Sequence, residues 1–580
     1  MRRPACGLRR PWRRGGWLRL VPAGTLALFL LPVLAGFIGT LLPAFGLLPG
    51  LVAGGPSLEA FRRLFQAPEL PGALAATLVS GLLATLLSFL AAVGIAAGLH
   101  GTRFFAWIRR LLAPLLAMPH AALAIGLGFL IAPSGWLARL VAPLLLPGGR
   151  PPDLPLPGDR FGLALAAGLW LKETPFLLLA ILAGLSQLPA ARALAAARML
   201  GYGATAAWLK VILPPLYRQL RLPVYAVLAF SLSVVDMALI LGPTTPPTFA
   251  VLLLRWFQDP TLDNLPAAAA GALLQCLLAL AAILLWRLGE ILAGRALAGW
   301  LESGGRGRRG GWSRGLGLGV AGALLALTAG SALALAVWSF ARRWPFPAAL
   351  PASWSFEAWR DAGMDLARAA TVSLCLALAS TAIALALSLG CLENERRHGL
   401  HPTARALWLI YLPLLIPQIS FLFGTAALLA WLGLEASLAA LVWSHLLFVL
   451  PYVFLMLADP YRALDERYRR TGLCLGAGGA RLFLAVTCPM LLRPILLAAA
   501  VGFSVSMALY LPTLFAGAGR FETLATEAVA ANAGADRRLA GAYAFLQAVL
   551  PLAAFALALA VPRAAFRHRR GLLQPAPGRL

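Results

Sequence analysis

Long apolar runs separated by short polar stretches recur from one end of the chain to the other. A bilayer core takes roughly 20 apolar residues in helical form. Runs of that length predict twelve spans, near 20–45, 74–99, 111–133, 161–184, 222–242, 267–291, 316–340, 370–391, 406–432, 438–458, 495–516 and 541–562. The runs are continuously apolar and do not alternate, which argues against a β-barrel. Backbone groups in lipid need partners within their own segment, which leaves helices. The expected fold class is all-α, a polytopic membrane protein.

The polar stretches carry a second pattern. Ser57-Leu58-Glu59-Ala60-Phe61-Arg62 matches Ser355-Phe356-Glu357-Ala358-Trp359-Arg360, each expected as a short amphipathic segment before a second span. Ala76-Thr77 matches Ala370-Thr371, Met118-Pro119-His120 matches Ile416-Pro417-Gln418, and Pro175-Phe176 matches Pro451-Tyr452. The order is the same each time. This predicts two homologous six-span halves, 20–301 and 316–562, entering the membrane from the same side. Between them, 302–315 is rich in Gly and Arg and reads as a flexible cytoplasmic linker, with basic cytoplasmic tails at 1–19 and 563–580.

The strongest repeat lies between the fourth and fifth span of each half. Gly201-x-Gly203 precedes Leu213-Pro214, and Gly476-x-Gly478 precedes Cys488-Pro489 at the same spacing. In the first copy Pro189 starts an Ala-rich helix, Gly201 and Gly203 allow a left-handed turn, and Pro214 marks entry to the next span. The second copy places Asp465, Glu466, Arg467, Arg469 and Arg470 before its turn. Each reads as a helix–turn–helix on the inner membrane face, presenting one short rigid helix to a partner; an ordinary amphipathic connector is the plainer alternative.

The chain is 60% hydrophobic and 12% charged, with net charge +27. Such a charge invites nucleic acid. However, most of the 49 Lys and Arg fall in tails and inward loops, as at Arg2, Arg3, Arg9, Arg10, Arg13, Arg14, Arg306, Arg308, Arg309, Arg563, Arg567, Arg569 and Arg570. That is the positive-inside bias of a membrane protein, and no nucleic-acid partner is expected. The first apolar run is too long for a signal core and reads as an uncleaved span. All six cysteines fall in spans or on the inner side without a C-x-x-C, which supports neither disulfides nor a zinc site.

These loops resemble the cytoplasmic signature of ABC importer permeases, E-A-A, three residues, G, nine residues, I-x-L-P. Ala195-Ala196-Ala197, Gly201, Val211, Leu213 and Pro214 fill it in the first half. In the second, Arg470-Thr471-Gly472, Gly476, Val486, Cys488 and Pro489 do so, and the acidic residue is absent from both. The fused double layout resembles thiamine- and iron(III)-type importers. Gly242-Pro243-Thr244-Thr245-Pro246-Pro247 and Thr523-Leu524-Ala525-Thr526-Glu527-Ala528-Val529 resemble the Ynj-type fused permeases. The resemblance implies an inner-membrane permease docking two copies of a cytoplasmic ABC ATPase, and an external binding protein that delivers the solute. A phosphate-binding loop needs Lys directly after Gly, whereas the two lysines, Lys172 and Lys210, each follow Leu. The chain is therefore expected to be no enzyme and to bind no cofactor or metal, with ATP and Mg used by the partner.

Charges inside spans cost about 2.5–3.5 kcal/mol each, so they face protein or water. Glu173 and Asp236 are expected to line the translocation pathway with Tyr452 and Tyr510, accompanied by Trp170, Trp443 and His445, and Asp236 would attract a cation. The alternative is that Lys172 pairs with an acid on a neighbouring helix and fixes packing. His120 and Gln418 are expected to serve packing. Two competing functions remain: a single-chain ion-coupled secondary transporter, which twelve spans also suit, and a polytopic membrane enzyme, for which no acid or His cluster appears.

Overall fold

The computed structural model describes residues 16–47, 55–145, 150–307, 311–400, 409, 413 and 415–567. Outside them lie Arg2, Arg3, Arg9, Arg10, Arg13, Arg14, Arg308, Arg309, Arg569, Arg570 and the first part of the run expected over 406–432. The protein is an all-α polytopic membrane protein. Its one sheet among the described residues is the small hairpin Ala341–Arg343 with Ser353–Trp354.

The first half contains α1 (Leu20–Ala44), α2 (Glu59–Gln66), α3 (Leu70–Leu99), α4 (Arg103–Ala117), α5 (His120–Ile131), α6 (Trp136–Leu145) and α7 (Leu163–Gln187). It continues with α8 (Ala190–Met199), α9 (Ala204–Ala207), α10 (Leu213–Ser233), α11 (Asp236–Leu241), α12 (Phe249–Phe257) and α13 (Leu265–Glu302). The second half begins with α14 (Gly311–Phe340), α15 (Glu357–Asp361), α16 (Gly363–His398), α17 (Ile419–Trp431) and α18 (Leu438–Arg462). It ends with α19 (Glu466–Cys474), α20 (Gly479–Leu482), α21 (Cys488–Met490), α22 (Leu492–Ala508), α23 (Leu511–Gly517), α24 (Leu524–Ala533) and α25 (Arg537–Ala565). The amphipathic segments expected before each second span are α2 and α15.

Among the described residues nine helices are long and apolar enough to cross a membrane, or ten if the bent pair Gly479–Met490 and Leu492–Ala508 counts as one. The expected count of twelve is not confirmed among the described residues. The run at 222–242 is interrupted at Val234-Val235, between α10 and α11. Of the run at 406–432, the described residues hold the short apolar helix α17, which starts after Pro417, and 406–408, 410–412 and 414 lie outside them. Hydropathy registers composition but not continuity. Proline removes a donor and disfavours helix in the residue before it, and the paired β-branched valines are weak helix formers. The run at 111–133 likewise divides at Met118-Pro119 into α4 and α5.

Breaks inside lipid free backbone groups that must find partners. Both halves solve this the same way. Gln275 on α13 donates to the Leu232 carbonyl at 2.9 Å, and Gln547 on α25 donates to Met507 at 3.0 Å. At the next turn the Phe249 amide donates to the Thr77 hydroxyl at 2.8 Å, and the Leu524 amide to Ser373 at 2.9 Å. The counterpart of Thr77 is thus Ser373; Thr371, matched to it by local sequence, is exposed and bonds only its own helix. Local likeness missed a two-residue slip that the hydrogen bond fixes.

The halves are interlocked. Helix α1 crosses to pack on α17 of the second half, and α14 crosses to pack on α5 of the first. Glycine permits both crossings. A Cβ on Gly424 would lie 2.0 Å from the Gly36 carbonyl, and one on Gly126 would lie 2.5 Å from the Ser331 carbonyl. Small residues let backbones meet where lipid offers no hydrophobic drive between helices. The Gly424 amide donates to Thr40 at 3.2 Å, and Thr425 donates to the Pro32 carbonyl at 3.2 Å.

Candidate functional site

Both polar loops fold into the same elbow. The first is α8, a turn at Leu200–Gly203, α9, a π-helical turn at Trp208–Ile212, and then α10. The second is α19, a turn at Leu475–Gly478, α20, a π-helical turn at Phe483–Thr487, and then α21. Only the first glycine of each turn is left-handed, Gly201 at φ +81° and Gly476 at φ +78°. Gly203 and Gly478 are extended helix N-caps instead, with φ −64° and −69°. The π turns follow from Pro214 and Pro489, which cannot donate to the carbonyl four residues back and would crowd it; widening the turn relieves both.

The candidate positions distribute over the elbow as a helix demands. Ala195 and Ala196 are exposed and Ala197 is buried; Arg470 is exposed and Gly472 half-buried. A Cβ on Gly472 would lie 2.2 Å from the Leu482 side chain, so glycine makes room for leucine there. The equivalent pair in the first elbow is Ala197 and Ala207, both buried. Each elbow ends on exposed apolar side chains, Met199 and Leu200 in one and Leu475 in the other.

The elbows differ in what holds them. In the first, residues after α13 form a strap. The Gly203 amide donates to the Arg306 carbonyl at 2.8 Å, and a Cβ on Gly203 would lie 2.3 Å from the Gly307 carbonyl. Lys210 donates to the Ser303 carbonyl at 2.8 Å and lies 4.8 Å from the Trp300 ring centroid. The second elbow has open space at Gly476 and Gly478 and is held by charge from the end of α16. Arg396 donates to Glu466 at 3.0 Å, and Arg469 does so at 2.9 Å. Burial raises the Glu466 carboxyl, but these two bonds hold it below the usual range. Behind it Arg462 pairs with Glu395 at 3.0 Å, and Tyr461 donates to Glu393.

Four pathway candidates meet between the halves. Lys172, Glu173 and Asp236 are only 8%, 7% and 8% exposed. Lys172 interacts electrostatically with both acids, Tyr452 with Glu173, and Tyr510 with Asp236. The amine of Lys172 also donates to the carbonyls of Leu116, at 3.0 Å, and Met118, which the Pro119 break leaves without helical partners. His120 neighbours Lys172, and its ring lies 5.0 Å from that of Phe230 at a tilt of 47°. The set is asymmetric. Aligning Pro175 with Pro451 puts Phe448 and Val449 opposite Lys172 and Glu173, and Leu511 occupies the place of Asp236. The first half supplies charge and the second supplies phenols.

Two expected members of this group belong elsewhere. Trp443 donates to the Leu28 carbonyl on α1 at 3.0 Å, at the crossing interface. His445 has both ring nitrogens bonded, to Ser506 at 2.7 Å and Thr513 at 3.0 Å, and so ties α18 to α22 and α23. Sequence reading passed over Gln275 and Gln547, although a lone amide in an apolar run at the same place in both halves was a visible signal.

The chain is 35% identical over 526 residues to the inner membrane ABC transporter permease protein YnjC of Escherichia coli (strain K12), covering 90% of this chain and 94% of that protein. No family model matches. The chain belongs to the ABC transporter permeases. The signature that these loops resemble has an acidic position, and there neither half of the permease carries Asp or Glu. In the second elbow Glu466 sits four residues earlier and is engaged by two arginines within the chain. No cluster of metal-ligating side chains occurs among the described residues.

Proposed function

We propose that the permease is the membrane subunit of a binding-protein-dependent importer of the inner membrane, with both termini cytoplasmic. Its two elbows each dock one copy of a separate cytoplasmic ATPase, which binds the ATP and Mg; the chain hydrolyses nothing itself. A binding protein on the other face delivers the solute. The repeated elbow carries this reading. Turn glycine, N-cap glycine, π turn and proline recur in the same register in both halves. A carrier that works alone has no use for two matched inward elbows with bare apolar ends.

Met199 and Leu475 are 89% and 81% exposed, so a charge there leaves the permease's own packing intact. Met199→Asp with Leu475→Asp is expected to lower the ATPase retained in co-purification about tenfold or more, since apolar anchors dominate such interfaces. Unchanged retention would sink the docking assignment.

In the same reading, Glu173, Asp236, Tyr452 and Tyr510 line the solute path. Asp236→Asn keeps the shape and removes the charge. ATP-dependent uptake is expected to fall by about tenfold, a buried charge contact being worth more than about 1.4 kcal/mol. Wild-type uptake by this variant would remove Asp236 from the path. Uptake that persists without ATP would favour the ion-coupled carrier instead.

A further inference from the structure

The face opposite the elbows gathers arginines. Arg139 on α6 is 3% exposed and donates to four carbonyls, those of Ser134, Trp344, Pro345 and Ala348, at 2.8–3.2 Å. Its guanidinium lies 5.8 Å from the Trp338 ring centroid, and that of Arg537 lies 5.1 Å from the same ring. Two guanidiniums thus lie within 6 Å of one indole. Beside it opens a cavity of about 410 Å³, lined by Trp338, Trp344, Arg342, Asp536, Arg537 and Arg538.

Positive charge here is poorly balanced. Arg537 donates to the Ser134 hydroxyl at 3.0 Å, and neither it nor Arg139 is paired with a carboxylate among the described residues. Asp536 caps α25 through one carboxylate oxygen, Oδ1, which accepts from the amides of Arg538 and Leu539 and lies 3.7 Å from the Arg538 side chain, so one carboxylate faces three arginines along the cavity lining. Arg342 meets Glu357 at 3.5 Å, but both side chains are largely exposed, where such a pair is worth little. Arg537 and Arg538 also occupy the first turn of α25, where the helix dipole is itself positive and cations are disfavoured. Finally, the Trp338 indole N–H is buried without a partner.

We propose that this cavity binds a phosphate-type oxyanion, with Arg342, Arg537 and Arg538 as ligands. Guanidinium forks match the oxygens of such an anion and remain charged at all relevant pH. The anion supplies the charge that the arginines and the start of α25 lack. Two sources carry this chemistry: a free oxyanion in solution, and the phosphate of a lipid headgroup at the ends of α14 and α25.

The test uses the full-length permease, delipidated in a non-ionic detergent. Inorganic phosphate is titrated while thermal unfolding is followed, and phosphatidylglycerol and phosphatidylcholine nanodiscs are compared by native mass spectrometry. Saturable stabilisation by phosphate assigns a free oxyanion. Retained phosphatidylglycerol without a phosphate effect assigns a headgroup. In either case Arg342→Gln and Arg537→Gln are each expected to weaken binding about tenfold or more. Arg342→Gln changes an exposed side chain, so its unliganded melting should match wild type. Arg467→Gln on the elbow face should leave binding untouched. No saturable binding of either probe, or binding indifferent to both substitutions, overturns the site.

Discussion

Replacing Gly424 by leucine is expected to destabilise the permease by at least about 3 kcal/mol. The new Cβ would lie 2.0 Å from the Gly36 carbonyl and 2.7 Å from the Thr40 amide. Both obstacles are backbone, so no rotamer change relieves them. Helix α1 must back away from α17, and the bonds of Thr40 to Gly424 and Thr425 to Pro32 stretch with it. Because α1 belongs to one half and α17 to the other, the damage falls on their interlock. Gly322→Leu on α14 is the control, since nothing lies within 4 Å of a Cβ there. The measurement is the fraction of monodisperse protein surviving a graded heat step in detergent. Matching curves for Gly424→Leu and wild type would refute the close approach.

Lys172→Met is expected to cost about 3–5 kcal/mol, the range for removing one partner of a buried charge group. Methionine fills the volume but donates nothing. The Leu116 and Met118 carbonyls then lose their donor within the membrane, and Glu173 and Asp236 lose their nearby cation. These two losses separate by adding Asp236→Asn and Glu173→Gln, which remove both uncompensated charges and leave the carbonyls bare. The triple variant should recover part of the stability and not all. Full recovery would mean that the carbonyl bonds contribute nothing; wild-type stability of Lys172→Met alone would mean that the whole arrangement is idle. This role falls between the two readings the sequence allowed. Lysine interacts with the acids, yet its hydrogen bonds go to a broken helix.

Much of the elbow was readable in advance because its signals are local. Gly201 and Gly476 stand where a helix must turn left-handed, and Pro214 and Pro489 stand where the next helix starts. What Gly203 does was not readable. Its approach to Gly307 depends on a segment about a hundred residues away, and its repeat partner Gly478 faces open space. The same limit explains Trp443 and His445. Both look like pathway residues by type, and only their partners, Leu28 in the first case and Ser506 with Thr513 in the second, reveal packing roles.

The sequence by itself determined the all-α membrane architecture, the two-fold repeat and the positions of the elbows. Each rests on length, apolar content or backbone-restricting residues, which act within one or two turns of their own place in the chain. Tertiary structure decided which apolar runs stay unbroken, how the halves interlock through Gly36 and Gly424, what Lys172 bonds, and that four arginines from three segments gather around Trp338 and its cavity. Those outcomes depend on unpaired carbonyls and backbone approaches between segments far apart in sequence, and hydropathy carries no record of them.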